Sequence, residues 1–144
     1  MNDLKQWMNS PGYQDLTSFL RQLNRFATSQ HNGFSNLDLI KDSKLIALKC
    51  LLSTLSAKVD EIEPFTEDKN QRFGNKAYRV WFDEMRSQLD NFFKQFNEEN
   101  ASELRQYLED SFGNKQRIDY GTGHELNFII FLLGMYKLGE CIWI

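Results

Sequence analysis

Apolar residues recur along most of this chain at intervals of three and four, the period of a helix with one covered face. The first stripe is Leu16, Phe19, Leu20, Leu23 and Phe26, and Ser10-Pro11 supplies its start. A serine hydroxyl accepts a backbone N–H as N-cap, and proline at the first helical position loses no internal hydrogen bond. A polar turn around Gly33 follows over 30–36. A second helix is predicted over 37–59, with Leu45, Leu48, Leu52, Leu55 and Val59 on one face and Ile62 at its end. Residues 61–72 read as an acidic loop containing Pro64.

Phe73-Gly74-Asn75 leads into a third helix that carries Ala77, Trp81, Met85, Leu89, Phe92, Phe93 and Phe96 on one side. Residues 97–100 interrupt it. Asn100 followed by Glu103 matches a capping box for a short fourth helix with Leu104, Tyr107 and Leu108, which Gly113 ends. A fifth helix is predicted from about His124 to Leu138. It is apolar nearly all round and is expected to be the most buried element. No segment alternates with the period of a strand. The fold class is therefore all-α with about five helices, and the chain 1–144 reads as a single helical domain, an incomplete N-terminal portion of a larger one. Its end, Gly139-Glu140-Cys141-Ile142-Trp143-Ile144, is apolar enough to want a covering surface, so the last three residues are expected to be exposed or packed on a neighbouring chain.

Composition narrows the classes of function. Hydrophobic residues make up 41% and charged residues 26% of the chain, the balance of a globular protein, and the 12 Phe supply bulky core material. The net charge of −3 and the lack of a Lys/Arg stripe argue against a nucleic-acid partner. No run is long and apolar enough to read as a membrane span. Cys50 and Cys141 stand far apart with no ligand spacing, which points to a reducing compartment and away from a disulfide framework or a zinc site. His124 and Glu125 do not extend to a His-Glu-x-x-His motif, because Phe128 holds the last position; no metal ligand is assigned.

The densest constellation is Arg117-Ile118-Asp119-Tyr120-Gly121-Thr122-Gly123-His124-Glu125. Glycines before a helix let successive N–H groups converge on one spot, where the helix dipole favours an anion. Arg117 adds a candidate bidentate phosphate contact. The same residues also admit a purely structural reading, in which Thr122 and Glu125 form a capping box and Asp119 pairs with Arg117. A second constellation, from Arg72 through Gly74, Asn75, Lys76, Tyr78 and Arg79 to Trp81, divides between core and surface. Tyr78 and Arg79 leave the apolar stripe and are placed to line a groove.

RFGNKAYRVW and RIDYGTGHE together, in this order and separation, resemble the two signature stretches of the phosphotyrosyl phosphatase activator family, the activators of serine/threonine-protein phosphatase 2A. Trp7 and Tyr13 are similar to that family's N-terminal helix, and the likeness runs from about Trp7 to Leu138. It implies an all-α fold with a groove between helical subdomains and binding to the catalytic subunit of phosphatase 2A, with reactivation of that enzyme. It also implies ATP with magnesium as cofactors, peptidyl-prolyl cis-trans isomerase (rotamase) activity on a proline-containing peptide, and a cytoplasmic location extending to the nucleus. By the same resemblance Arg117, Thr122 and Gly123 contact the nucleotide, and Asp119 is the candidate catalytic residue of the phosphatase or peptide groove. Family members are about twice this length, and their later half supplies further nucleotide and metal contacts. The alternative is a helical interaction module, or an inactive fragment, that binds a partner without nucleotide or catalysis.

Overall fold

The computed structural model describes residues 2–29, 41–67 and 74–141. Among these it holds six helices: α1 (Asn2–Met8), α2 (Pro11–Ser29), α3 (Ser43–Glu61), α4 (Ala77–Phe93), α5 (Glu98–Asp110) and α6 (Thr122–Lys137). Among the described residues there is no strand, only an isolated antiparallel bridge between Asn114 and Asp119. The all-α expectation holds. The extra helix is α1, a short amphipathic piece with no stripe long enough to register in the sequence. The chain forms two compact units, residues 1–39 and 40–144.

In the first unit, Ser10 makes the predicted cap: its Oγ accepts from the Tyr13 amide at 3.2 Å and donates to the Trp7 carbonyl at 2.7 Å. The Trp7 and Tyr13 rings meet edge to face at 5.8 Å, which fixes the turn between α1 and α2. Leu16 is buried, while Leu20 and Phe26 of the same stripe are exposed. The turn around Gly33 lies outside the described residues.

The second unit is built around α4. Ala77, Phe82, Met85, Leu89, Phe92 and Phe93 are all buried along its length. Phe82 is the inward residue that the sequence pattern missed. Trp81 is only part-buried and donates its indole N–H to the Leu55 carbonyl at 3.2 Å. On α3 the inward face is Leu48, Leu51 and Leu55. Val59, expected on that face, is exposed, because the covered stripe runs through Leu51 and ends at Leu55. The α3 start is capped by Asp42, whose carboxylate accepts from the Lys44 and Leu45 amides.

The cap of α5 is Asn97, which accepts from the Glu99 amide, and not Asn100 as the capping-box pattern suggests. Asn100 instead lies inside the helix and donates to Glu140 Oε1 at 2.8 Å. A helix that starts one turn earlier frees that side chain for tertiary use. Helix α6 ends in a Schellman turn, with Gly139 at φ 70° and the Glu140 amide bonded back to the Met135 carbonyl at 2.8 Å. This turn folds Glu140 inward, where it pairs with Lys44 at the start of α3. Burial works against its charge, but the hydrogen bonds from Lys44 and Asn100 prevail and hold its carboxyl below the usual range. Glu140 and Cys141 are buried; Ile142, Trp143 and Ile144 lie outside the described residues.

Helix α6 is not the most buried element. Only Phe131 and Met135 are fully covered, whereas α4 buries six side chains. Helix α6 lies along α5, close enough that a Cβ on Gly134 would come within 2.6 Å of Leu104 Cδ2, and Phe131 reaches the Phe92 and Phe93 rings. Its other side keeps apolar residues in partial exposure.

Candidate functional site

The loop between α5 and α6 is shaped by contacts that leave its backbone little freedom. Gly113 has φ 109°, and a Cβ there would sit 2.6 Å from Tyr78 Oη and 2.7 Å from the Asp119 carbonyl. Gly74, just before α4, has φ 105°, and its Cβ would meet Ile118 Cγ2 at 2.6 Å. Two glycines in the left-handed region thus allow residues 74–79 and 113–119 to press together. Tyr78 donates its hydroxyl to the Phe112 carbonyl at 2.7 Å. Burial, with the Asp119 charge adding to it, pushes that phenol up to about 12. Arg79 donates Nε to the Lys115 carbonyl at 3.2 Å and Nη2 to the Gln116 carbonyl at 2.9 Å.

The loop also closes on itself. The Asn114 amide bonds the Asp119 carbonyl at 3.1 Å, and Asn114 Oδ1 accepts from the amides of Gln116 and Arg117. Ile118 stands at the crest with φ 52°, a conformation a β-branched residue seldom adopts. Such a position costs on the order of 1–3 kcal/mol and persists because its neighbours over-determine it.

Between the two stretches lies a cleft of about 560 Å³, lined by Gly74, Lys76, Arg79, Gln116, Arg117, Ile118 and Asp119. Three cations face one carboxylate there, although the chain as a whole carries −3. A cleft of that sign concentrates anions.

The structure brings Arg117 and Asp119 together directly. Arg117 Nε donates to Asp119 Oδ2 at 2.7 Å, with Nη2 to Oδ1 at 3.4 Å, and both side chains are substantially exposed. Asp119 has a second neighbour that the sequence did not point to. His124 donates Nδ1–H to the Asp110 carbonyl at 2.6 Å, which turns Nε2 toward Asp119 Oδ1 at 3.7 Å. The Tyr120 ring stacks on His124 at 5.6 Å. These contacts join the loop to the first turn of α6.

Thr122 and Gly123 open α6 but do not line the cleft. The capping box expected for Thr122 and Glu125 does not form: the N-cap is Gly121, with no side-chain cap bond, and Thr122 is already the first helical residue. A Cβ on Gly121 or Gly123 would meet nothing within 4 Å. Their amides belong to the set at a helix start that lacks an internal acceptor, so the corner has the chemistry for an anion without a steric need for glycine. Of the second constellation, Arg79 reaches the cleft as expected; Tyr78, expected there too, is not in the lining and supports it from behind; Lys76 lines the cleft without having been singled out; and Arg72 and Phe73 lie outside the described residues. Among the described residues no group of three or more His, Cys, Asp or Glu side chains could hold a metal ion.

Residues 1–142 match the family model described as phosphotyrosyl phosphate activator (PTPA) protein. The chain is similar to the serine/threonine-protein phosphatase 2A activator of Drosophila melanogaster, with 37% identity across 95% of this chain and 34% of that protein. It is similar as well to serine/threonine-protein phosphatase 2A activator 2 of Saccharomyces cerevisiae, with 32% identity across 96% of this chain and 39% of the relative. The crystal structure of the PP2A phosphatase activator Ypa1 superposes with a TM-score of 0.67 at 27% identity, covering 86% of this chain and 40% of that one. The chain therefore spans between a third and two fifths of the length of these relatives.

Proposed function

This chain belongs to the phosphotyrosyl phosphatase activator family, and from that premise we propose that it acts on serine/threonine-protein phosphatase 2A, engaging the catalytic subunit through the cleft between residues 74–79 and 113–119. The observation that carries this reading is the convergence of the two signature stretches on one strained, cationic cleft. The curated relatives it matches are named as activators of that phosphatase.

The proposal extends to ATP with magnesium. Lys76, Arg79 and Arg117 have the charge to hold a triphosphate, and the amides of Thr122 and Gly123 offer a second, neighbouring anion site. Bound there, the nucleotide would supply negative charge and a metal ion. For Arg117 to serve it must exchange Asp119 for phosphate, and His124 Nε2 lies 3.7 Å from the carboxylate so released. Peptidyl-prolyl isomerisation belongs to the same proposal. Its barrier of about 18–20 kcal/mol comes from amide resonance and falls in a desolvated pocket that favours the twisted bond, without an obligatory nucleophile. Ile118 supplies apolar surface, and Asp119, beside it on the cleft lining, is the candidate for contact with the proline-containing peptide.

The test is nucleotide affinity and phosphatase reactivation with the purified catalytic subunit, for the wild type and for Arg117→Ala. Loss of a charge-assisted contact predicts a deficit of about 1.5–3 kcal/mol in nucleotide binding with folding unchanged. Full binding and reactivation by a folded Arg117→Ala variant would remove the nucleotide role. A specific observation favours a second reading, an interaction module without nucleotide: Arg117 is already paired, and Thr122 and Gly123 stand outside the cleft. Capture of the catalytic subunit with no nucleotide dependence would establish it.

A further inference from the structure

The exposed side of α4 carries charges at Arg79, Asp83, Arg86 and Asp90, whose helical spacing sets them in one row along the helix. Their signs alternate, and each meets a partner from the segment that follows. Asp90 pairs with Arg105 and Arg86 with Glu109, both on α5. Asp83 pairs with Lys115 in the loop after α5. Arg79 ends the row, and there its partners are backbone: Nε donates to the Lys115 carbonyl at 3.2 Å and Nη2 to the Gln116 carbonyl at 2.9 Å. The guanidinium thus grips two successive peptide units, the second of which joins Gln116 to Arg117. Asn114 ties the same stretch from within the loop, since its Oδ1 accepts from the Gln116 and Arg117 amides.

We infer that Arg79 is a positioning residue: it fixes the backbone that aims Arg117 and Asp119 at the cleft, and its directional donors serve the loop and not a bound anion. A planar guanidinium satisfies two carbonyls at once, which a lysine ammonium on its flexible stem does not reproduce. The grip acts where the chain is strained. Ile118 follows Arg117 at φ 52°, with its amide bonded to the Asn114 carbonyl at 2.8 Å. Such a conformation persists only where the surroundings over-determine it. Here the surroundings are Gly74, against which Ile118 packs, and the α4 side chains that hold residues 115 and 116. The charge of Arg79 still adds to the field of the cleft. What the two carbonyl bonds remove is its freedom to turn toward a ligand. The inference deepens the proposed function, and its functional half rests on the reading that Arg117 meets the anion.

Arg79→Lys keeps the charge and loses the fork, so it separates aim from field. ATP affinity is measured with the purified phosphatase catalytic subunit present, for Arg79→Lys, Arg117→Ala and the double variant, with folding checked by circular dichroism. Positioning predicts that Arg79→Lys weakens ATP binding by about tenfold, the scale of one or two net hydrogen bonds. It also predicts that the same change costs nothing further once Arg117 is alanine. Equal fold losses in the two backgrounds make Arg79 a separate contact and overturn the inference, as does full affinity in Arg79→Lys. A second measurement, amide hydrogen exchange in the free chain, needs no ligand. Arg79→Lys should speed exchange of the Arg117 and Ile118 amides by about tenfold while the amides of Met85 and Leu89 in the buried stretch of α4 are unchanged. Unaltered exchange at 117 and 118 overturns the inference whatever the nucleotide does. If Arg117→Ala binds ATP as tightly as the wild type, the nucleotide reading is what fails, and faster exchange in Arg79→Lys still upholds the grip on the loop.

Discussion

Two glycine pairs flank the proposed site, and they differ in what they are for. Gly74 and Gly113 have positive φ, and side chains there would collide with Ile118, Tyr78 and the Asp119 carbonyl. Gly121 and Gly123 stand in open space, with Gly121 in ordinary extended backbone. The first pair is required by packing within the chain. Among the described residues nothing packs against the second pair, so packing there does not require glycine. A glycine-rich motif thus does not announce its role; the space around each missing Cβ separates a structural glycine from one that leaves room for a partner.

The strongest way to break this contrast is Gly113→Ala. Left-handed strain and overlap with backbone and the Tyr78 ring should together destabilise the second unit by about 3 kcal/mol or more, read as a large fall in denaturation midpoint. Tolerance of alanine there would show that the loop relaxes and that the cleft is not rigid. Tyr78→Phe comes next. It leaves the part-buried Phe112 carbonyl without its donor and should cost about 1–3 kcal/mol. The cleft residues should then exchange amide hydrogens faster than those of α4's buried centre.

The same tyrosine gives a pH signature. Its folded pKa of about 12 lies above the ordinary value of 10.0, so the neutral form is favoured by folding. That contribution is complete below pH 10 and is lost as pH rises from 10 toward 12. An alkaline denaturation series should show this loss in the wild type and a shallower decline in Tyr78→Phe. An identical decline would mean the hydroxyl is not held as described. The smallest stability effect belongs to Gly123→Ala. With no neighbour within 4 Å and a helical position, alanine should be neutral or stabilising by up to about 1 kcal/mol. The bulkier Gly123→Val should also fold. A loss of nucleotide affinity in these folded variants would mark the second pair as functional, and unchanged affinity would leave it a plain helix start.

Much of this was legible along the chain. Helical spacing gave the all-α class, the Ser10-Pro11 start, and most of the core on α4, because periodicity and caps are local properties of sequence. It pointed as well to Arg117 and Asp119, and to Arg79 as a groove residue, while Tyr78, named beside it, supports the cleft without lining it. Tertiary packing decided the rest. Phe82 replaced Trp81 as the inward residue because the indole N–H found the Leu55 carbonyl. Asn97 replaced Asn100 as a cap because Asn100 was drawn to Glu140, forty residues away in the chain. The left-handed crest at Ile118 has no local signature, since it depends on the close approach of Gly74 from a segment far away in sequence, and the meeting of His124 with Asp119 depends on the Asp110 carbonyl holding His124 Nδ1 as the loop folds back. The half-bare state of α6 is of the same kind. Its composition says that it wants cover on every side, and only the arrangement of the neighbouring helices decides which side this chain covers itself.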